Sequence, residues 1–488
     1  MESSVPYVAA HETHSGVVVL VGDRAYKAKK PVQTDFLDFR RVEQREEACA
    51  REVALNSRLA PDSYIGVAHF GDLSRSAPEP VVVMRRYHHD DRLTSLVTRG
   101  EPVEHVLDRI ADVLAEFHER ADRSRRINLQ GKPEAIRRRC FDNFPTLRHH
   151  IGTAVPAESL RRVERLTADY LAGRAALFAR RIEEGCIVDG HADLLADDIF
   201  WVDDQPVLLD CLEFDDELRF LDRIDDAAFL AMDLEFLGRT DLSDYFLSRY
   251  TEYSRDTAPS SLRDFYIAYR AAVRAKVDCV QLTQGKSDAA AAAARHLSIA
   301  VSHLEAGAVR LVLVGGGPGT GKSSLARGLA EQVGAVVIST DDVRKELRGS
   351  GYLSGEPGEL GSGLYTAANV AAVYHEILRR AGLVLANGQS VILDGTWRDA
   401  KLRAEARRLA ADRLALIAEI HCVVPAAVAA ERIRSRVPGN SDATPQLAAA
   451  LTADGFDWDT AHRVDTARPL AECVCTAQEL WRNMIQDR

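Results

Sequence analysis

The most constraining feature of the sequence is a glycine-rich segment between an apolar run and a helical pattern. The segment reads Gly316-Gly317-Pro318-Gly319-Thr320-Gly321-Lys322-Ser323 and matches G-x-x-x-x-G-K-[ST]. Residues 311–314 before it are apolar, and residues 324–332 after it have a helix-like pattern. Backbone N–H groups of such a loop wrap phosphate oxygens at a helix N-terminus, where the helix dipole favours anions. A strand, a phosphate-binding loop and a helix are therefore expected here.

The residues of this loop have separate expected roles. The run from Gly316 to Ser324 is expected to bind the cofactor, which we take to be ATP. The Lys322 ammonium is expected to contact the β- and γ-phosphates and to act in catalysis, and the Ser323 hydroxyl to bind Mg²⁺. A glycine turn without a ligand is the alternative, and the flanking patterns argue against it.

Strand-like and helical segments alternate after the loop, which indicates an α/β unit with a mostly parallel sheet. Strands are expected at residues 336–339, 391–393 and 417–424. The carboxyl ends of parallel strands face the ligand crevice, so polar residues at those ends are candidate site residues.

Two strand ends carry such residues. Asp341 is placed to accept the proton of an attacking hydroxyl, and Arg344 to hold a substrate. Asp394, at the next strand end, is placed to order Mg²⁺ through water. The alternative is that Asp341 or Asp342 caps a helix while Arg344 lies on a solvated face.

These features resemble the P-loop kinases of small molecules and polynucleotide ends, such as gluconate kinase, adenylylsulfate kinase, polynucleotide kinase and zeta toxin. The resemblance covers about residues 309–488. It implies that Asp341 is the general base, that Arg344 contacts the substrate, and that Arg432 and Arg436 are lid arginines at the cofactor. An arginine run is more often a solvated helix face, and this interpretation stays open.

The N-terminal region begins with a different pattern. Residues 17–29 predict a β-hairpin, residues 38–60 an amphipathic helix and residues 81–84 a buried strand. Helical patterns fill residues 103–185 and 223–305, the second including the alanine run at 289–294.

Between these helical regions lies a polar segment with acids at both ends of two strand-like pieces. The spacing suits Asp193 as acceptor of a hydroxyl proton and Asp198 and Asp210 as Mg²⁺ ligands. His191 is assigned to the substrate. The alternative is a structural cluster of acids in which His191 makes a core hydrogen bond.

The segment resembles the catalytic loop of the aminoglycoside phosphotransferase and choline kinase branch of the protein-kinase-like fold, His-Gly-Asp-x-His-x-x-Asn. His191, Asp193 and Asp210 match that pattern, whereas Ala192, Leu195 and Asp198 replace Gly, His and Asn. An α+β protein-kinase-like fold is therefore expected for the N-terminal domain.

The same resemblance implies a lysine on an N-terminal strand, paired with a glutamate on the following helix and holding the α/β-phosphates. Lys27 is the first choice and Lys29 the second, with Glu52 as the partner. No Gly-x-Gly-x-x-Gly motif precedes Lys27, so residues 13–16 would have to cover the phosphates.

Composition limits the remaining possibilities. A chain of 488 residues exceeds one hydrophobic core, and we expect domains at 1–305 and 306–488. The net charge of -11 argues against nucleic acid as a partner. The eight cysteines form no C-x-x-C pair, and no apolar run suits a membrane span, so a cytoplasmic protein is expected. Cys473 and Cys475 are expected on one face of a strand.

The whole chain resembles bacterial two-domain proteins that join an aminoglycoside-phosphotransferase-like domain to a gluconate-kinase-like P-loop domain. The function implied is an ATP- and Mg²⁺-dependent phosphotransferase with two nucleotide sites. Its small-molecule acceptor would offer a hydroxyl group, as a sugar, sugar acid or aminocyclitol does. One alternative is a single active kinase regulated by a degenerate N-terminal domain, and another is a P-loop ATPase switch. The sequence leaves the oligomeric state open.

Overall fold

The computed structural model describes residues 7–12, 16–33, 38–71, 78–356, 361–435 and 458–485. The chain divides into two compact units. The first comprises Met1–Glu164, Phe178–Ala258 and Arg263–His303, and the second comprises Arg165–Leu177, Pro259–Leu262 and Leu304–Arg488. The contiguous division at residues 305 and 306 stays a prediction, because the second unit includes two short segments from earlier in the chain.

An antiparallel five-stranded sheet opens the first unit, with the strand order β1-β2-β3-β5-β4. The strands are β1 (Val8–Glu12), β2 (Gly16–Val21), β3 (Arg24–Lys29), β4 (Tyr64–Phe70) and β5 (Glu79–Arg85). The predicted hairpin is confirmed as β2 and β3, which pair from Gly16 with Lys29 to Val21 with Arg24. Strand β1 was not predicted.

Helix α1 (Val42–Asn56) follows the hairpin and is shorter than the predicted range of 38–60. One face of it packs on the sheet, where Cys49 lies in a buried cluster with Tyr64 and Val82. Glu52 also lies on the buried face and is fully enclosed. A buried carboxylate requires charged or hydrogen-bonding partners, so this face of α1 makes polar contacts as well as apolar ones.

Two short antiparallel pairs surround the predicted catalytic segment. The strands are β6 (Ile187–Asp189), β7 (Ile199–Val202), β8 (Gln205–Leu208) and β9 (Phe220–Asp222). β7 and β8 form a hairpin whose turn residues, Asp203 and Asp204, have φ angles of 52° and 58°. A two-residue turn of this kind needs positive φ at both positions, which Asp tolerates better than most residues. The hairpin separates Asp198 from Asp210 in the sequence.

The helical stretches predicted for this region are confirmed. The remaining helices up to residue 306 are α2 (Leu93–Thr98), α3 (Glu104–Arg120), α4 (Arg125–Leu129), α5 (Pro133–Phe141), α6 (Phe144–His149), α7 (Ala157–Gly173), α8 (Ala175–Glu183), α9 (Asp216–Arg219), α10 (Arg223–Phe236), α11 (Thr240–Ser254), α12 (Ser260–Thr283) and α13 (Ala289–Ala306). In the part of the chain that the structure describes, no helix is both long and apolar enough to cross a membrane.

The second unit contains a five-stranded sheet with the order β11-β12-β10-β13-β14. All of its strand pairs are parallel. The strands are β10 (Arg310–Gly315), β11 (Val336–Ser339), β12 (Val391–Asp394), β13 (Leu416–Val423) and β14 (His462–Asp465). The three strands predicted after the loop are confirmed within a residue or two, and β14 was not predicted.

The helices of the second unit alternate with its strands. They are α14 (Lys322–Val333), α15 (Thr340–Gly349), α16 (Ala367–Ala386), α17 (Ala400–Asp412), α18 (Ala426–Arg434) and α19 (Leu470–Asn483). The strand prediction for Cys473 and Cys475 is wrong, because both lie in α19. Residues two apart on a helix face different directions, and accordingly Cys473 is buried while Cys475 is exposed.

Candidate active sites

The phosphate-binding loop of the second unit lies between β10 and α14, as predicted. Gly321 precedes the first helical residue, Lys322, and has a φ of 80°. Gly319 has a φ of 77°, and a Cβ atom there would lie 2.5 Å from the Ala429 carbonyl oxygen. The loop therefore depends on glycine for both its backbone conformation and its close packing.

Side chains from two later elements hold the end of this loop. The Thr466 hydroxyl donates to the Thr320 carbonyl oxygen at 2.6 Å, and Arg432 donates to the Thr466 carbonyl oxygen at 2.8 Å. A Cβ atom at Gly321 would lie 3.5 Å from Arg432 Nη1. Arg432 thus lies beside the phosphate loop, where a lid arginine is expected. Arg436, the other predicted lid arginine, lies outside the described residues.

Asp394 ends β12 next to the strand that leads into the loop, since Val314 and Asp394 are paired in register. Its side chain is buried, and among the described residues its Oδ1 atom has no hydrogen-bond partner. Burial raises its pKa, against the opposing effects of the Lys322 charge and a hydrogen bond with Ser323. A buried carboxylate oxygen that lacks a hydrogen-bond partner and lies beside a hydroxyl group is a suitable ligand for a hard cation such as Mg²⁺.

Asp341 and Arg344 form an ion pair at the start of α15. The distance between Arg344 Nη1 and Asp341 Oδ1 is 2.6 Å. Arg344 is 8% exposed and lies 4.8 Å from the Tyr365 ring centroid, so it does not lie on a solvated face. Ser339 caps the helix by accepting from the Asp341 N–H at 3.2 Å, which leaves the Asp341 carboxylate for other contacts.

A cavity of about 270 Å³ adjoins the phosphate loop. Its walls include loop residues 316–318 together with Arg398, His421 and Arg463. This volume is near the lower end of the range of small-molecule sites, roughly 300 to 1,000 Å³. The second unit therefore has space for a small ligand beside the loop.

In the first unit, Lys27 on β3 contacts its predicted partner Glu52 and also the candidate metal ligand Asp210. Its Nζ atom lies 2.8 Å from Glu52 Oε1 and 2.6 Å from Asp210 Oδ1, although Asp210 is 183 positions away in the sequence. Burial alone would lower the pKa of Lys27, but Asp210 and Glu52 outweigh it and raise that pKa well above its usual range. Lys27 therefore keeps its positive charge, and it lies next to Asp210, the candidate metal ligand.

Lys29, the second choice for the phosphate lysine, contacts the other oxygen of the same glutamate. The distance from Lys29 Nζ to Glu52 Oε2 is 2.6 Å, and that to Glu213 Oε1 is 2.5 Å. Sequence reasoning missed Glu213. The available signal was an acid that follows Asp210 by three positions in a segment that already carries a metal-ligand candidate.

His191 does not occupy the predicted substrate position, because it is fully buried and both ring nitrogens are bonded within the unit. Nε2 lies 3.0 Å from the Leu209 carbonyl oxygen, and the Asp193 N–H donates to Nδ1 at 3.3 Å. Burial lowers its pKa, so the neutral ring donates through Nε2 and accepts through Nδ1. The alternative interpretation, a core hydrogen bond, describes His191 correctly, and its role is to position the loop.

Asp226 also holds the loop at residues 191–193, and sequence reasoning missed it. Its two carboxylate oxygens accept from the backbone N–H groups of His191 and Ala192 at 2.6 and 2.8 Å. His118 Nε2 lies 3.0 Å from Asp226 Oδ2, and this contact outweighs burial and keeps the pKa of Asp226 well below its usual range. Its neighbour Asp225 binds Arg270 Nε at 2.7 Å. The missed signal was two acids inside an apolar helix, since Asp is almost never fully buried without partners.

The candidate base Asp193 lies at the tip of this loop. Burial, helped by the charge of Asp210, outweighs the opposing charge of Arg274 and raises the pKa of Asp193 to about 6. A base with a pKa near the working pH is well suited to accept a hydroxyl proton.

The two candidate metal ligands of the first unit influence each other. Burial and the charge of Asp210 raise the pKa of Asp198 well above its usual range. For Asp210 the neighbouring Lys27 outweighs burial and lowers the pKa. Two close carboxylates of this kind fit Mg²⁺, which typically takes one or two protein carboxylates and completes its shell with phosphates and water. Across the described residues, no group of three or more His, Cys, Asp and Glu side chains gathers as a metal site.

Comparison with known proteins gave matches to both parts of the chain. A family model described as an AAA domain matches residues 311–453. A choline/ethanolamine kinase family protein from Mesorhizobium loti is 14% identical and covers 62% of this chain and 93% of its own, with a TM-score of 0.38. A gluconokinase from Sinorhizobium meliloti 1021 is 21% identical and covers 37% of this chain and 94% of its own, with a TM-score of 0.28. The TM-scores are low, and the strand order of each sheet defines the fold of its unit.

The first unit has the protein-kinase-like fold and the second the α/β P-loop fold, as predicted. The uncharacterized protein Rv2004c of Mycobacterium tuberculosis (strain ATCC 25618 / H37Rv) is 62% identical over 480 residues, which is 98% of this chain and 96% of that protein. The uncharacterized protein Mb2027c of Mycobacterium bovis matches to the same extent. This chain therefore belongs to the same family as Rv2004c and Mb2027c.

Proposed function

We propose that the protein is an ATP-dependent phosphotransferase with one nucleotide site in each unit and a hydroxyl group of a small polar metabolite as acceptor. The observation that carries the proposal is the contact of Lys27 with both Glu52 and Asp210. These three residues were assigned to one nucleotide site from the sequence, and they come from a strand, a helix and a distant loop.

In the first unit, Lys27 would hold the α/β-phosphates while Glu52 fixes its position. Asp193 would accept the proton of the acceptor hydroxyl, since its raised pKa lets it bind a proton near neutral pH. His191 and Asp226 keep the Asp193 backbone in place from below. Catalysis of this kind consists mainly of positioning the hydroxyl in line with the phosphoryl group.

In the second unit, the backbone of the loop and Lys322 would hold the β- and γ-phosphates. Asp341 would accept the acceptor proton, with Arg344 bound to it and able to reach a polar acceptor group. Arg432, beside Gly321, would neutralise charge on the transferring group.

Mg²⁺ would be held by Ser323 and Asp394 in the second unit and by Asp198 and Asp210 in the first. When bound, it neutralises phosphate charge. Two observations support this assignment: the buried Asp394 oxygen has no hydrogen-bond partner among the described residues, and the charge of Asp210, together with burial, raises the pKa of Asp198.

The test is ADP release by wild type, Asp193→Asn and Lys322→Ala, each alone and with sugars, sugar acids, aminocyclitols and a 5′-hydroxyl oligonucleotide. Release should depend on one class of acceptor and should fall roughly 100-fold or more in the variant of the working unit. Asp203→Asn, in an exposed turn, and Lys401→Ala, on an exposed helix face, are matched controls that should behave as wild type.

The two alternatives give different outcomes. ADP release that is the same with and without each acceptor, and that is lost in Lys322→Ala, identifies a P-loop ATPase switch. Acceptor-dependent release that is lost in Lys322→Ala but intact in Asp193→Asn identifies a regulatory first unit. Release that neither substitution changes would sink the proposal.

A further inference from the structure

The first unit contains a chain of five charged side chains in which Glu52 is the centre. In order along the contacts these are Asp210, Lys27, Glu52, Lys29 and Glu213, joined by distances of 2.6, 2.8, 2.6 and 2.5 Å. Lys27 and Lys29 can both reach Glu52 because residues two apart on a strand point to the same face. Each oxygen of Glu52 thus has a lysine of its own.

The two ends of this chain differ in exposure. The Asp210 side chain is 42% exposed and that of Lys27 15%, whereas those of Lys29 and Glu52 are 1% and 0% exposed. The Lys27 end therefore faces the space where phosphates would bind, and the Lys29 end is enclosed. A ligand can compete for Lys27 but not for Lys29.

This difference matters when a nucleotide binds. A phosphate group would share Lys27 with Glu52, and an enclosed carboxylate whose counter-charge is partly drawn to a ligand is destabilised. Because Lys29 remains on the other oxygen, Glu52 stays neutralised while Lys27 also contacts the phosphate. The second lysine thereby lowers the cost of using the first.

Lys29 also contacts the segment that contains Asp210. Glu213 lies three residues after Asp210, and its contact with Lys29 ties this segment to β3. Two neutral contacts act in parallel: the Cys211 N–H donates to Asn56 at 2.8 Å and the Asp210 N–H to Tyr64 at 3.2 Å. Asp210 itself has a φ of 62°, which a residue other than glycine holds only when its surroundings enforce it.

We propose that Lys29 is a positioning residue of the nucleotide site in the first unit, which holds Glu52 and the Asp210 segment in place while Lys27 binds phosphate. Asp210 is the proposed metal ligand, so Lys29 links nucleotide affinity to Mg²⁺. This inference rests on the function proposed for the first unit.

The experiment uses full-length Lys322→Ala protein, in which the loop of the second unit is disabled, and measures ADP affinity by calorimetry with Mg²⁺ and with EDTA. Mg²⁺ should tighten binding in this background. The gain in ADP affinity that Mg²⁺ produces should be about tenfold smaller when Lys29→Met is added, as for other residues that orient metal ligands. Lys29→Arg should restore most of the gain, because it keeps the charge.

Two further variants separate positioning from folding. Glu213→Gln keeps Lys29 on Glu52, leaves a nearly isosteric side chain and should lower the gain in the same direction, with its melting temperature close to that of the background. Lys30→Met removes the neighbouring lysine, whose partner Glu12 is on the exposed edge strand, and should leave the gain unchanged.

The outcomes distinguish this inference from the function on which it rests. If Lys322→Ala protein binds no ADP with Mg²⁺, the proposed nucleotide site of the first unit is wrong. If it binds ADP, but Lys29→Met and Glu213→Gln keep the full Mg²⁺-dependent gain, Lys29 has no positioning role. Equal losses with Mg²⁺ and with EDTA would also overturn the inference, since they indicate a structural role alone.

Discussion

In the second unit the candidate phosphate loop is one run of residues, Gly316 to Ser323, whose shape follows from glycine backbone angles. In the first unit the candidate catalytic loop, residues 191–193, is held by side chains from two later helices. Asp226 accepts from two of its N–H groups, and Arg270 donates to the Ala192 carbonyl oxygen at 3.1 Å. The loop of the second unit therefore depends mainly on its own glycines, with Thr466 at one end, whereas the loop of the first unit depends on side chains of α10 and α12.

The difference also appears in how each loop uses left-handed backbone. The second unit places glycine where φ is positive, at Gly319 and Gly321. The first unit places Ala192 at a φ of 71° and compensates with the Asp226 carboxylate. A loop fixed by buried charges should lose more stability from one substitution than a loop fixed by backbone conformation.

The largest expected effect is that of Asp226→Ala. The substitution leaves His118 and the N–H groups of His191 and Ala192 without their acceptor, which should cost about 3 to 5 kcal/mol in free energy of unfolding. Urea unfolding would measure this cost, and amide hydrogen exchange of residues 189–194 would rise with it.

Asp241→Ala is the matched control, because Asp241 is an exposed helical aspartate paired with Arg239. It should leave the free energy of unfolding nearly unchanged, because solvent screens an exposed ion pair. Equal costs for the two substitutions would mean that Asp226 does not hold the loop.

The second effect concerns Asp193, whose ionised form is the one that the proposed reaction needs. Its folded-state pKa of about 6 lies above the usual 3.8, so the folded protein binds the proton more tightly than the unfolded chain. The contribution of Asp193 to stability therefore falls as the pH rises from about 4 to about 6 and stays low above that range. Asp193→Asn should stabilise the protein by about 2 to 3 kcal/mol at pH 7.5 and by almost nothing near pH 4.

Urea unfolding at the two pH values gives the comparison, with Asp203→Asn as the exposed control. A stabilisation of the same size at both pH values would show that burial of the charge is not its cause. Together with loss of ADP release, the expected result would identify Asp193 as a residue that lowers stability and serves function.

The same contrast explains how much of the molecule the sequence predicts. The strand, loop and helix of the second unit follow from contiguous patterns, and the structure places Asp394 next to the strand that leads into the loop. In the first unit, local spacing pointed to Asp210, but Lys27 and Glu52 were found only through a family resemblance, because no local pattern connects them with Asp210. Glu213 and Asp226 were missed, since their importance lies in which buried groups they meet.

Two errors have the same origin. His191 was assigned to the substrate together with its neighbour Asp193 in the polar segment, and only its burial reveals that both ring nitrogens bond to the backbone. The pair Cys473 and Cys475 was read as a strand because a two-residue spacing fits one face of a strand. In helix α19 the same spacing places one of the two residues in the interior and the other at the surface.

The smallest effect is expected from Gly319→Ala in the second unit. Alanine at a φ of 77° costs about 1 to 2 kcal/mol, and its Cβ would press on the Ala429 carbonyl oxygen. The loop keeps its N–H groups but shifts them, so ADP affinity in a Lys27→Met background, in which the nucleotide site of the first unit is disabled, should fall about tenfold, which corresponds to about 1.4 kcal/mol. Gly349→Ala is the matched control, because no atom of the described residues lies within 4 Å of its added Cβ, and it should leave affinity unchanged. If Gly319→Ala binds ADP as tightly as the control, then the loop of the second unit is also shaped by its neighbours, and the contrast between a backbone-determined and a side-chain-determined site disappears.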